Sequence, residues 1–130
     1  MAKNIYRNKT VAQLIKIAVR HFHLYIRNRD KGKSCISCSK KTTLQAGHFY
    51  SAGKHPQLRF NEDNVHGQCL SCNYYMSANL LNYRINLIDK IGMDRVYDLE
   101  QTVELSKKQS YKWDRFELVD IIEKYKALNK

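Results

Sequence analysis

Four cysteines, the only ones in 130 residues, fall in two tight pairs: Cys35-Ile36-Ser37-Cys38 and Cys69-Leu70-Ser71-Cys72. Two thiolates separated by two residues can ligate one metal ion from a single turn. Two such turns complete a tetrahedral all-thiolate zinc site with no cysteine left over. The fold must therefore bring together two turns separated by 30 residues of chain. Paired Cys-x-x-Cys in a chain whose opening Met1-Ala2-Lys3-Asn4 lacks a secretory h-region points to a reducing cytosol and a metal, not to disulfides. No run of eighteen apolar residues predicts a membrane span. The length suits a single domain with a modest core, which a metal staple would help.

The formal charge is +11, and its distribution is uneven. Residues 1–60 carry 13 Lys/Arg and one acid, Asp30, for a net +12; residues 61–130 carry 10 Lys/Arg and 11 acids, for a net −1. A one-sided basic field attracts a polyanion through counterion release, which makes DNA the expected partner; no amphipathic segment joins that charge to a large apolar face, which disfavours a membrane surface. The residues expected to contact DNA are Lys16, Arg20, Arg27, Arg29, Lys31, Lys33, Lys40, Lys41, Lys54, His55 and Arg59.

Thr10 to Asn28 reads as a helix, with Val11, Leu14, Ile15, Ala18, Phe22, Tyr25 and Ile26 on one apolar face. Thr10 and Gln13 form a capping-box pattern. Lys16, Arg20, His23 and Arg27 make a second stripe, read either as a phosphate contact or as a solvated face. His21 and His23 are expected to be surface and helix-face residues. Leu44–Tyr50 and Asn64–Leu70 are candidate strands, joined by a polar loop with the only proline, Pro56. Leu80, Leu81, Ile85, Ile88 and Ile91 predict a helix closed by Gly92. A shorter helix around Asp94–Glu104 and a last one capped by Ser110 complete the chain. Trp113 fits packing better than base stacking. The apolar face of the final helix, Ser110 to Leu128, is the candidate interface for a homodimer.

The stretch between the cysteine pairs is rich in chemistry. Hydrolysis of a phosphodiester by a one-metal nuclease needs a base to deprotonate water and a cation to stabilise the leaving oxygen. Imidazole titrates near neutrality, and oxygen donors suit Mg²⁺. His48 and Asn73 are side chains of the right types, held beside the two cysteine turns.

The chain here resembles a known family. The run Gly47-His48-Phe49, then Asn64-Val65-His66-Gly67-Gln68-Cys69, then Cys72-Asn73 is similar to the HNH, or ββα-metal, endonucleases. The similarity is nearest to the phage NinG (Rap) recombination endonucleases. Tyr25 to Asp30, Cys35 to Cys38, Ala46 to Ser51, Leu58 to Phe60, Asn61 to Asn64, and Asn82 to Gly92 extend it over roughly residues 22–100. Phage endonuclease VII is a more distant relative.

The resemblance implies an α+β fold: a small zinc-stabilised ββα-metal (HNH) core over 34–92, a basic N-terminal helix in 1–33, and C-terminal helices in 93–130. It implies a structural Zn²⁺ on Cys35, Cys38, Cys69 and Cys72, and a catalytic Mg²⁺ or Mn²⁺. His48 would be the general base, Asn73 a ligand of the catalytic cation, and Asn64 the residue orienting the loop around the base. The activity implied is cleavage of branched recombination intermediates such as Holliday junctions and D-loops. The setting would be a bacterial or phage-infected cytoplasm, with phage or host recombination proteins as further partners. Many relatives place a metal-binding aspartate immediately before the base histidine, and here that residue is Gly47. Asp63 or Glu62, His66 with water, or DNA phosphates could replace it. Two other functions remain open: a non-catalytic zinc module that binds nucleic acid, and a nicking or restriction-like HNH nuclease on linear duplex.

Overall fold

The computed structural model describes residues 5–76, 79–107 and 109–130; Met1–Asn4 lie outside them. The chain is a small α+β protein with a two-stranded sheet. Helix α1 spans Val11–Arg29, strand β1 Gln45–His48, strand β2 Val65–Gln68, helix α2 Leu80–Ile91, helix α3 Met93–Leu105 and helix α4 Arg115–Leu128. One wide helical turn, Ser71–Tyr75, lies between β2 and α2.

Helix α1 starts where the sequence places it. The Thr10 hydroxyl accepts the Gln13 amide (3.1 Å), and the Gln13 side chain accepts the Thr10 amide (2.8 Å), a reciprocal cap. Leu14, Ala18, Phe22 and Ile26, four residues apart, form the buried stripe, whereas Val11 is exposed. That stripe packs against Leu118, Val119, Ile122 and Tyr125 of α4. Phe22 is its centre, edge-on to Phe60 (5.6 Å between ring centroids) and to Tyr125 (5.0 Å). Polar latches reinforce the pair: Asn129 donates to the His21 carbonyl (2.9 Å), and the Tyr6 hydroxyl donates to Glu123 (2.7 Å).

Leu118, Val119, Ile122 and Tyr125 of α4 are thus covered by the chain's own first helix, while Phe116 and Leu128 of the expected homodimer face stay exposed. The start of α4 also differs from expectation. Asp114, not Ser110, is the cap: its carboxylate accepts the Glu117 amide (2.8 Å) and Glu117 accepts the Asp114 amide (3.3 Å). The preceding residues stay extended because Trp113 inserts against Phe60 (5.2 Å) and donates its indole N–H to the Pro56 carbonyl (2.9 Å). Trp113 is a packing residue.

The strands pair antiparallel, with Gln45 opposite Gln68 and His48 opposite Val65. They are shorter than predicted because a side chain takes over the ladder. The Asn64 carbonyl accepts the Phe49 amide (2.8 Å); Asn64 Oδ1 then accepts the Tyr50 amide (2.8 Å), and its Nδ2 donates to the carbonyls of Tyr50 (3.0 Å) and Leu58 (3.2 Å). Asn64 is fully buried and staples both ends of the 50–58 loop.

Helix α2 has the predicted extent and ends at Gly92, but its buried face is rotated. Tyr83 and Leu87 point inward, while Leu80, Leu81 and Ile85 are exposed. The rotation follows from Tyr83, whose hydroxyl donates to the Gly47 carbonyl (2.6 Å) from a second core shared with Ile36, Phe49, Leu58, Val96 and Leu99.

Asp30 joins these parts. Its buried carboxylate accepts a forked pair of bonds from Arg29 (3.0 and 2.9 Å), the Gly67 amide of β2 (2.7 Å) and the Lys90 ammonium of α2 (3.0 Å). Gly67 is required there, since a Cβ would lie 2.6 Å from Leu44 and 3.1 Å from Asp30. Burial alone would raise the Asp30 pKa, but Arg29, the Gly67 amide and Lys90 outweigh it and hold the group ionised far below its usual range. Removing one partner of a buried charge network leaves the others uncompensated. Asp30→Ala is expected to cost about 3–5 kcal/mol of stability. A denaturant midpoint equal to that of the parent protein would contradict this.

Candidate metal centre and active site

The two cysteine turns converge as their spacing predicts. All four sulfurs lie within 4.8 Å of one another, and no disulfide joins them. A tetrahedral ion with bonds of about 2.3 Å sets sulfurs roughly 3.8 Å apart, and the Cys38–Cys69 separation is 3.7 Å. Amides point at the sulfurs. Cys35 Sγ accepts the backbone N–H groups of Cys69 (3.3 Å), Ser37 (3.4 Å) and Cys38 (3.5 Å), and Cys69 Sγ accepts that of Cys72 (3.4 Å). Burial raises the Cys35 thiol, yet these amides bring it down to about 7. At Cys72 burial dominates and pushes the thiol up to about 12. The cluster can bind a metal ion such as zinc, and four thiolates leave no open coordination position.

Beside the cluster, a cleft of about 660 Å³ brings His48 and Asn73 together, with Tyr50, Lys54, His55 and Leu80 among its walls. His48, the last residue of β1, contacts the Arg59 carbonyl through Nε2 at 3.0 Å. A carbonyl only accepts, so Nε2 carries the proton and Nδ1 keeps the lone pair in the neutral ring. Burial lowers the His48 pKa; the hydrogen bond to the Arg59 carbonyl opposes this and the Arg59 charge adds to it. The ring is therefore neutral at physiological pH. Asn73 donates Nδ2 to Gln45 (3.0 Å), which makes Oδ1 its atom for a hard cation.

The other expected cation ligands are not brought to this cleft. His66 is buried with both ring nitrogens engaged, one by the Asp63 carbonyl (2.8 Å) and one by Arg29 (3.1 Å). Burial holds its pKa down to about 3. Asp63 is ion-paired with Arg95, and Glu62 accepts from Tyr25 (3.2 Å) and Tyr125 (2.8 Å). No acid lines the cleft among the described residues. Nor is there room for one at the position before His48: a Cβ on Gly47 would lie 2.0 Å from Oε1 and 2.7 Å from Cβ of the buried Gln68.

The expected DNA contacts divide. Lys16, Arg20, Arg27, Lys31, Lys33, Lys40, Lys41 and Lys54 are exposed. His55 and Arg59 are half-buried at the cleft side, His55 against Tyr50 (5.1 Å) and Arg59 through its carbonyl on His48. Arg29 is removed from the set: its guanidinium is occupied by Asp30, by His66 and by the carbonyls of Val65 (2.8 Å) and Glu62 (3.1 Å). His23 is also not a plain helix-face residue. It sits 5.8 Å from the His48 ring, and burial, then the His48, Arg27 and Arg59 charges, lower its pKa to about 4. No sequence signal pairs those two histidines. Gln45 and Gln68 were missed as well; their only mark is a place beside Gly47 and Cys69.

The fold and cluster define a small α+β protein with a four-cysteine cluster that could hold a metal ion. A family model described as "Bacteriophage Lambda NinG protein" matches residues 3–130. The chain belongs to the NinG family. It is 46% identical to the ninG protein of Escherichia phage lambda over 88 residues, covering 66% of this chain and 43% of that one. It is 40% identical to the ninG protein of Escherichia phage 933W over 113 residues, covering 85% and 54%. The chain thus spans about half the length of the curated relatives it matches. No solved structure matches it. None of the described helices is long and apolar enough to cross a membrane.

Two outcomes test this site. The purified chain should carry one Zn²⁺ by metal analysis, and Cys72→Ser should lose it together with the cooperative melt. Gly47→Asp should overpack Gln68 and lower stability by about 1–3 kcal/mol. A Gly47→Asp protein that melts like the parent would show that Gln68 yields freely.

Proposed function

We propose that this chain is a metal-dependent HNH-type endonuclease that hydrolyses DNA phosphodiester bonds, with branched molecules as its preferred substrate. The observation that carries the reading is the pairing in one cleft of a neutral, tautomer-fixed His48 with Asn73. The order of parts supports it: two antiparallel strands, the histidine ending the first, then a helical turn bearing the asparagine beside the last cysteine. The preference for branched DNA rests on the family resemblance.

In this reading His48 Nδ1 takes a proton from water as its oxygen attacks phosphorus. The P–O3′ bond breaks, the 3′ oxygen picks up a proton from solvent, and 5′-phosphate and 3′-hydroxyl ends result. Asn64 holds the loop that carries the Arg59 carbonyl, and so keeps the His48 ring oriented. A divalent cation such as Mg²⁺ or Mn²⁺ would stabilise the charge on the phosphoryl group and leaving oxygen. Asn73 Oδ1 would be the protein's own donor for it. With Gly47 closed by Gln68 and the nearby acids engaged elsewhere, the remaining oxygens would have to come from DNA phosphate and water.

One observation favours a second reading, a non-catalytic zinc module that binds nucleic acid: the cleft lacks a carboxylate. A labelled four-way junction and a matched linear duplex, incubated with the protein and Mg²⁺ or Mn²⁺, separate the two. The junction should be cut, and His48→Ala should slow cutting by about 10²–10⁴-fold. Salt-sensitive binding without cutting under either cation would establish the module instead, and equal cutting of both DNAs would indicate a duplex nuclease. Because the base must be unprotonated and burial lowers the His48 pKa, single-turnover cleavage should hold its rate to lower pH than an ordinary histidine base would allow.

A further inference from the structure

Directly after Asn73 the chain exposes two aromatic rings. Tyr74 and Tyr75 are 75% and 74% solvent-exposed, their rings edge-on with centroids 5.2 Å apart. Tyr75 and Met76 line a groove of about 590 Å³ together with Lys40, Thr42 and Gln45, and Cys38, Cys69 and Cys72 of the cluster form part of its lining. This groove is separate from the catalytic cleft but adjoins it. The Gln45–Asn73 hydrogen bond is the divide, Gln45 lining the groove and Asn73 the cleft. At its far end Thr42 and Thr43 also line a smaller hollow with Arg27 and Lys31.

We propose that this groove receives an unpaired nucleobase of the strand whose phosphate enters the cleft, with the base stacked on Tyr75 and its backbone held by Lys40. The inference rests on the nuclease reading and adds a subsite to it. The chemistry fits one kind of occupant. Every base offers a π-face to an exposed tyrosine, and a lysine at the rim suits its phosphate. Thr42 and Gln45 offer the polar atoms that base edges bond. A base within an intact duplex is stacked on both sides and cannot reach Tyr75, so this subsite favours DNA with bases already freed, as at a branch point. Leu80, Leu81 and Ile85 of α2, which follow closely in the chain, are exposed as well.

The test uses binding without cleavage, in the full chain with Ca²⁺ or no divalent cation. Fluorescence anisotropy would compare a four-way junction, an oligo-dT strand and a linear duplex for the parent, Tyr75→Ala and Tyr75→Phe, with zinc content measured to confirm an intact cluster. Tyr75→Ala should weaken oligo-dT and junction binding by about five- to a hundredfold and leave the duplex unchanged, whereas Tyr75→Phe keeps the stack and the affinity. In a junction carrying 2-aminopurine beside the branch, the parent protein should quench the probe through ring stacking and Tyr75→Ala should not. Unchanged oligo-dT affinity in Tyr75→Ala, or an equal loss on duplex, would overturn the proposal. If the base-selective loss is seen but no DNA is cut with Mg²⁺ or Mn²⁺, the nuclease reading fails while the nucleobase subsite stands.

Discussion

One buried carboxylate organises the molecule. Asp30 is the only acid in the basic first half, and it lies at the C-terminal end of α1, where its own helix presents carbonyl groups rather than amides. It is stable there because Arg29, Lys90 and the Gly67 amide converge on it. That convergence fixes helix α1 to β2 and β2 to α2. Arg29 also reaches the Val65 carbonyl and His66, so β2 is held along its length and the register with β1 is set. His48 takes its place from that register, opposite Val65 and at the mouth of the cleft. The metal cluster clamps the other ends of the same strands, since Cys69 follows β2 directly and the Cys35 turn hydrogen-bonds to the Gly67 carbonyl through Ile36 (3.0 Å).

What could be read from the sequence was whatever a local pattern specifies. The α1 cap needs only Thr10 and Gln13, and the metal cluster only the spacing of two cysteine pairs. Asn64 was singled out through the resemblance, and in the structure its buried side chain makes three bonds to the backbone of Tyr50 and Leu58. Some of the misses depend on distant partners. Leu81 and Ile85 have helical spacing, yet Tyr83 decides which face turns inward through a bond to Gly47 across 36 residues. Arg29 looks like one more cation in a basic stretch until Asp30 and His66 claim it. The Asp114–Glu117 box was a legible local signal, passed over for Ser110.

Charge and burial together determine which basic residues can serve a polyanion. The basic first half is not a uniform field: Arg29 faces inward, whereas Arg27 in the last turn of α1 and Lys31 just after it stay exposed. Arg27 and Lys31 line the hollow beside Thr42, Lys40 lines the next groove, and Lys54 and His55 line the cleft. Three depressions joined by shared or hydrogen-bonded walls thus carry cations from the end of α1 to His48. An extended strand follows such a path more readily than a rigid duplex, because each nucleotide can turn independently.

For the cation of the proposed nuclease, the closed space at Gly47 has a consequence. A site with one neutral amide oxygen and no carboxylate holds Mg²⁺ poorly against its own hydration shell, since Mg²⁺ is ordinarily bound through carboxylates and phosphates. The cation would therefore enter with the DNA, whose phosphate oxygens provide both charge and coordination. Gln68 enforces this arrangement by filling the room an aspartate would need, and it also donates to Ser37 (2.9 Å) inside the first cysteine turn. The same side chain thus ties the metal cluster to the absence of a carboxylate beside His48. Under the proposed function, metal-dependent chemistry in this chain would then be conditional on bound substrate.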